Sequence, residues 1–196
     1  MNQRDRASKL AKTDFSAALK LARDIPEVRE RIQSLGWVAR YAPAGEVSRV
    51  VAMAAKAAGS SSDFYGDTMA VAGPLRALLV TGNGDSIPSL LKVVLSLSAD
   101  VYPVSSRAEA ISLLIHAVLP EALRTAEPAI DKLTSMASDT HWRVVRSLVD
   151  TALLVNAFDR QTAMHVAGVI PAENKRNSTA KRISDGETMQ PRSFFW

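Results

Sequence analysis

Residues 100–120 read DVYPVSSRAEAISLLIHAVLP. An aspartate opens the stretch, a proline follows three residues later, Arg107 stands seven residues after Asp100, and the rest carries apolar positions at helical spacing. The chain writes this phrase three more times: DIPEVRERIQSLGWVARYAP at 24–43, DFYGDTMAVAGPLRALLVTG at 63–82 and DTHWRVVRSLVDTALLVNAF at 139–158. The opening aspartates, Asp24, Asp63, Asp100 and Asp139, are 39, 37 and 39 residues apart. Seven residues after each come Arg31, Ala70, Arg107 and Arg146, so three of the four phrases keep the base. Four phrases in register define an internal repeat, and a repeat decides a fold before any single element does.

The segments between the phrases are helical as well. In EVSRVVAMAAKAA, Val47, Val50, Val51, Ala54 and Ala58 form one stripe of a helix. SIPSLLKVVLSLSA offers Ser86 as a cap and Pro88 in the first turn, where its missing N–H costs nothing. Pro128 in PAIDKLTSMAS takes the corresponding place, and Ser106 with Glu109 spells a capping box. Connections such as YAPAG, TGNGDS and AFD are short and rich in turn residues, and no sustained period-2 alternation marks a strand. The pattern predicts an all-α fold: a short N-terminal helix, about four helix pairs and a closing helix near 159–169. Amphipathic pairs cannot bury their apolar faces alone, so they are expected to stack as a right-handed α–α solenoid with capping helices at both ends.

The period, the proline early in the first helix of a pair, the turn aspartate and the arginine early in the second helix resemble HEAT repeats. The resemblance covers roughly residues 14–170 and rests on Asp24 with Arg31, Asp63, Pro88 with Asp100 and Arg107, and Pro128 with Asp139 and Arg146. The second phrase departs from it, with Ala70 in place of the base and Pro74 bending the helix. The resemblance implies that each aspartate caps the following helix and that each arginine bridges carboxylates of neighbouring repeats. Asp24, Arg31, Asp63, Asp100, Arg107, Asp139 and Arg146 would then form a structural ladder and not an active site.

The chain has 196 residues, 47% of them hydrophobic, enough for a substantial core. It contains no cysteine, which excludes disulfides and thiolate chemistry and fits a reducing interior. A charged N-terminus without an apolar run leads to an expectation of no signal peptide, no membrane span and a cytoplasmic location. The net charge of +4 belongs to the ends: residues 13–170 carry 15 bases against 16 acids, too balanced for a body built to hold a polyanion. Three domains of the reading follow: a basic arm or short helix at 1–13, the repeat body at 14–170, and a polar tail at 171–196.

Chemistry-bearing constellations are sparse. His116, His141 and His165 stand apart from any metal-ligand spacing, and His116, on an apolar helix, reads as a packed or partly exposed histidine and not a ligand. TGNGDS lacks the lysine of a phosphate loop, and no serine sits in a nucleophile elbow. Trp37, Trp142, Met53, Met69 and Met164 read as core packing. No catalytic residue, cofactor or metal is expected. The tail ends in Phe194, Phe195 and Trp196 beside Arg192, an aromatic cluster expected to anchor a partner protein, or to dock on the chain itself as a lid, after a flexible polar tether. KRNS and KRIS make Ser178 and Ser184 candidate phosphorylation sites. The expected function is a non-enzymatic interaction scaffold, with nucleic-acid binding through the basic termini and second-helix arginines as the alternative.

Overall fold

A computed structural model describes residues 2–119 and 123–195. Among these the chain is all-α, with twelve α-helices, three short 3-10 turns and no strand. The chain divides into two compact units, residues 1–100 with 193–196, and residues 101–192.

The first unit contains α1 (Gln3–Ala11), α2 (Phe15–Arg23), α3 (Val28–Arg40), α4 (Val47–Ala58), α5 (Phe64–Ala70), α6 (Ala72–Val80) and α7 (Ile87–Leu97). Side chains set several helix starts. The Asn2 side chain accepts from the Asp5 N–H at 2.7 Å, Asp14 from Ala17 at 2.9 Å and Asp63 from Gly66 at 2.9 Å. The second phrase, expected to bend at Pro74, is broken into α5 and α6. Pro74 has no N–H for the Ala70 carbonyl and its ring crowds that carbonyl, so the helix stops at Ala70 and restarts with Pro74 in its first turn.

Contacts in this unit recur at one period. Ser48 and Ser86 share a hydrogen bond at 2.7 Å, Gly59 abuts Leu97, and Gly36 abuts Pro74, each pair 38 residues apart. Two such pairs along α4 and α7 show that these helices run parallel and in repeat register. The expected Ser86 cap is absent because that hydroxyl is taken by Ser48.

The second unit contains α8 (Val104–Val118), α9 (Leu123–Thr134), α10 (Trp142–Val155), α11 (Arg160–Gly168) and α12 (Glu173–Ser184). Here α8 and α10 run parallel, with Glu109 against Arg146 and Ser112 against Thr151, 37 and 39 residues apart. Three expectations are corrected. Helix α8 starts at Val104, directly after Pro103, so Ser106 is already inside it and forms no capping box; Glu109 turns instead to arginines of α10. Pro128 lies inside α9 rather than in its first turn, on the exposed side where water serves the freed carbonyl. The polar stretch expected as a flexible tether is helical over Glu173–Ser184. Thr179 and Ile183, four apart on one face, are buried against the α10 and α11 side, and the rest of the helix is mostly polar and charged. The closing helix near 159–169 is α11, capped by Asp159, which accepts from the Thr162 N–H at 2.8 Å. Two hydrogen bonds from Thr162 hold the Asp159 carboxyl below its usual range.

No helix among the described residues is long and apolar enough to cross a membrane.

Candidate functional site

Two of the recurring arginines donate to main-chain carbonyls just ahead of their own helices. Arg31 sits four residues into α3 and donates through Nη1 to the Ile25 carbonyl at 3.3 Å. Arg107 sits four residues into α8 and donates through Nε to the Val101 carbonyl at 3.1 Å. Side chains on a helix lean toward its N-terminus, so a base in the first turn reaches the chain that enters the helix. Ile25 and Val101 are each 1% exposed, and their carbonyls need a donor that water cannot supply. Asp24 and Asp100 are exposed and take part in no ion pair among the described residues. Their carboxylates stay in water, where an ion pair would gain little.

The aspartate half of the expected ladder holds at one place. Asp63 caps α5; Glu27 rather than Asp24 caps α3; α8 has no side-chain cap. Asp139 accepts from the His141 N–H at 2.8 Å, and His141 in turn caps α10 by accepting from Arg143 at 3.2 Å. Arg146 does bridge neighbouring repeats, to Glu109 at 3.1 Å rather than to a turn aspartate, and Arg143 joins the same carboxylate at 3.5 Å.

Two surfaces carry recognition chemistry, one in each unit. In the first unit, Trp37, Arg40 and Tyr41 share the last turn of α3 at i, i+3 and i+4. Phe195 packs edge-on against Trp37, ring centroids 5.1 Å apart at 65°. The Arg40 guanidinium lies 4.8 Å from the Phe195 ring centre and 5.6 Å from both Trp37 and Tyr41, and the Lys12 ammonium covers Tyr41 at 5.9 Å. Of the four residues expected to anchor a partner, Phe194 and Phe195 are half-buried, Arg192 is exposed in the second unit, and Trp196 lies outside the described residues.

In the second unit, Trp142 is 57% exposed, which corrects its expected place in the core. As the first residue of α10 it has no preceding helical turn to pack against. It stacks on His141 at 5.9 Å, flanked by the guanidinium groups of Arg143 at 5.5 Å and Arg146 at 5.4 Å. Tyr102, in the turn before α8, is 85% exposed. Because α8 and α10 are parallel, both aromatics lie at the same end of that helix pair. Asp150, two turns along α10, is half-buried; burial raises its carboxyl above the usual range against the opposing charges of Arg146, Arg192 and Arg182.

His116 is packed and not partly exposed, and burial lowers its pKa to about 4, with the Arg192 charge adding to the shift. Asp67 is a buried carboxylate in α5, held by the Ser61 hydroxyl at 2.6 Å, and desolvation raises its pKa. Neither Asp67 nor Asp150 stood out in the sequence, although Asp150 follows Arg146 by one turn, a legible i, i+4 pairing. Among the described residues no three His, Asp or Glu side chains are grouped to hold a metal.

Comparison with protein-family models, curated proteins and solved structures finds no match. The repeat therefore rests on this chain's own residues.

Proposed function

We propose that this chain is a non-enzymatic interaction scaffold, a HEAT-like α–α solenoid whose second helices bind another protein. The observation that carries this reading is Phe195 on α3: a second helix holds the aromatic side chain of a segment 158 residues away, between an indole and a guanidinium. Aromatic rings and arginine are the side chains that most often dominate interface energetics. Contacts at one period in each unit support the stacked arrangement. The second-helix arginines are largely engaged, on carbonyls or on Glu109, which favours a protein over a nucleic-acid backbone as partner.

The test is affinity capture with the intact chain and with the Trp37→Ala, Arg40→Ala variant. A protein retained by the first at ten times the yield of the second supports the reading. Binding to duplex DNA or RNA that weakens with salt at a slope of several phosphate contacts would replace it with the nucleic-acid alternative.

A further inference from the structure

After α12, Gly186 adopts a left-handed φ of 81° and turns the chain out of the helix. The residues that follow have no secondary structure of their own, and within the second unit their backbone is held by α10 and α8. Asn156 donates through Nδ2 to the Glu187 carbonyl at 2.8 Å. The Met189 N–H donates to the Leu153 carbonyl at 3.0 Å, an acceptor in the last turn of α10. The Arg192 N–H donates to His116 Nδ1 on α8 at 3.3 Å.

Side-chain burial along the segment follows the same geometry. Met189 and Pro191 are half-buried while Thr188, Gln190 and Arg192 are exposed, the alternation of an extended chain laid on a surface. Sequence-tolerant main-chain bonds hold it, and the exposed Thr188 and Gln190 side chains contribute little to its fit. Two features add selectivity. Asp150 is half-buried within electrostatic reach of Arg192 and so favours a basic residue at that place. His116 accepts through Nδ1, so the neutral ring carries its proton on Nε2, which is buried without a hydrogen-bond partner. In the first unit, taken by itself, the aromatic of the same C-terminal segment sits on Trp37 and Arg40.

We infer that the second-helix face formed by His116, Asp150, Leu153 and Asn156 is a binding site for an extended peptide that carries a basic residue, and that residues 187–192 are its internal occupant, displaced by a partner's segment of the same chemistry. That segment is extended, offers N–H groups three residues apart, and places an arginine or lysine within electrostatic reach of Asp150. The chain's own segment shows which backbone geometry the surface accepts. In the resting chain the internal segment competes at a high effective concentration, so an outside peptide must outbid a tethered one. This inference rests on the protein-binding reading and specifies its partner and its regulation.

The probe is a fluorescent synthetic peptide copying residues 186–196, GETMQPRSFFW, titrated in anisotropy against two proteins: the full chain and a chain ending at Asp185. The shortened chain keeps all twelve helices, and its helicity is checked by circular dichroism. It is expected to bind the peptide at least tenfold more tightly than the full chain does. A peptide with Arg192→Glu should bind the shortened chain at least fivefold more weakly. If the shortened chain does not stay folded, the full-length Met189→Pro variant takes its place; it lacks the N–H that reaches Leu153 and should bind the peptide more tightly than the wild type.

Equal affinity for both proteins would overturn the inference, because the internal segment would then cover nothing. Peptide binding to neither folded protein would also overturn it. A full-length chain that elutes as a dimer and becomes monomeric on truncation would assign the site to a second copy's tail, against a foreign partner. Captured protein that depends on Trp37 and Arg40 while the peptide fails would leave the protein-binding role standing and remove only this site.

Discussion

Arg176 donates through Nη1 to the Ile170 carbonyl at 2.9 Å, six residues back along the chain. Arg31 on Ile25 and Arg107 on Val101 have the same separation and the same placement, four residues into a helix. All three acceptors belong to branched apolar residues that are buried. The motif is therefore a branched residue followed six positions later by arginine, with the helix beginning halfway between. It has a copy at 170–176, IPAENKR in the sequence, which the aspartate spacing does not reveal because Val169 stands where aspartate stands elsewhere. The repeated arginine fastens the entry of its own helix to the turn before it.

Removing Arg31 or Arg176 should therefore cost about 1–2 kcal/mol, the loss of a charge-assisted hydrogen bond and of the donor to a buried carbonyl. Asp24→Asn and Asp100→Asn should each change stability by less than about 0.5 kcal/mol, as surface substitutions away from any pairing do. Urea denaturation of the four variants separates the two accounts. An Asp100→Asn cost as large as that of Arg176→Ala would restore the carboxylate ladder.

Gly36 and Pro74 give a second test, at a place where α3 packs directly against α6. A Cβ on residue 36 would lie 2.9 Å from Pro74 Cδ and 3.0 Å from Pro74 N, and the proline ring is buried with no freedom to swing aside. Gly36→Ala gains about 1 kcal/mol of helix propensity but meets an overpacking cost of about 1–3 kcal/mol, so a net loss is expected. Gly36→Ala with Pro74→Ala removes the crowding and lets α5 join α6, so the double variant should be more stable than Gly36→Ala alone. Thermal melts of both variants and of Pro74→Ala complete the cycle.

Much of this molecule was legible because helix periodicity and the repeat reinforce each other. The four phrases, the break at Pro74, the N-terminal helix and the closing helix follow from local patterns that tertiary packing had no reason to override. What was not legible involves choices between equivalent partners. An aspartate seven residues before an arginine and a backbone carbonyl six before it are equivalent candidates in the sequence, which cannot weigh the burial that makes the carbonyl more demanding. Spacing alone places Trp142 in the core, yet a tryptophan at the first position of a helix can face outward, and His141 with two arginines gives it an aromatic and cationic setting there. α12 was hidden by its polarity, since two inward residues, Thr179 and Ile183, suffice to seat it.

Trp142 also makes a prediction about function distinct from stability. Its ring is mostly exposed, and the ion pairs of Arg143 and Arg146 with Glu109 are partly solvated, each worth under about 1 kcal/mol. Trp142→Ala should leave helicity unchanged and move the unfolding midpoint by no more than a surface substitution does. If this surface takes part in partner binding, the same change should weaken association with a captured partner at least tenfold, as loss of an aromatic anchor does. Unchanged association would confine recognition to the α3 surface and the face crossed by the C-terminal segment.

The last prediction concerns acid. His116 titrates near pH 6.5 in an unfolded chain but only at about 4 in the folded one, because burial disfavours its charged form and Arg192 adds a repelling charge. Between those values the unfolded chain binds a proton that the folded chain refuses, so acidification favours unfolding. The stability this histidine supports is complete above pH 6.5 and falls by up to about 3 kcal/mol as the pH drops to 4. Asp67 and Asp150, whose carboxyl groups are raised by burial, oppose this trend where carboxylates titrate, so the effect is read as a difference. His116→Leu removes the titrating ring together with its unpartnered buried N–H, at the cost of the acceptor for the Arg192 N–H. The two changes are of comparable size, about 1–3 kcal/mol each, so the variant should match the wild type within about 1 kcal/mol at pH 7.5. At pH 5 it should be the more stable protein, by about 2 kcal/mol, as the wild type alone bears the proton's cost. Urea midpoints at pH 7.5, 6, 5 and 4.5 measure the divergence, and parallel curves for the two proteins would show that His116 is protonated as easily in the folded chain as out of it.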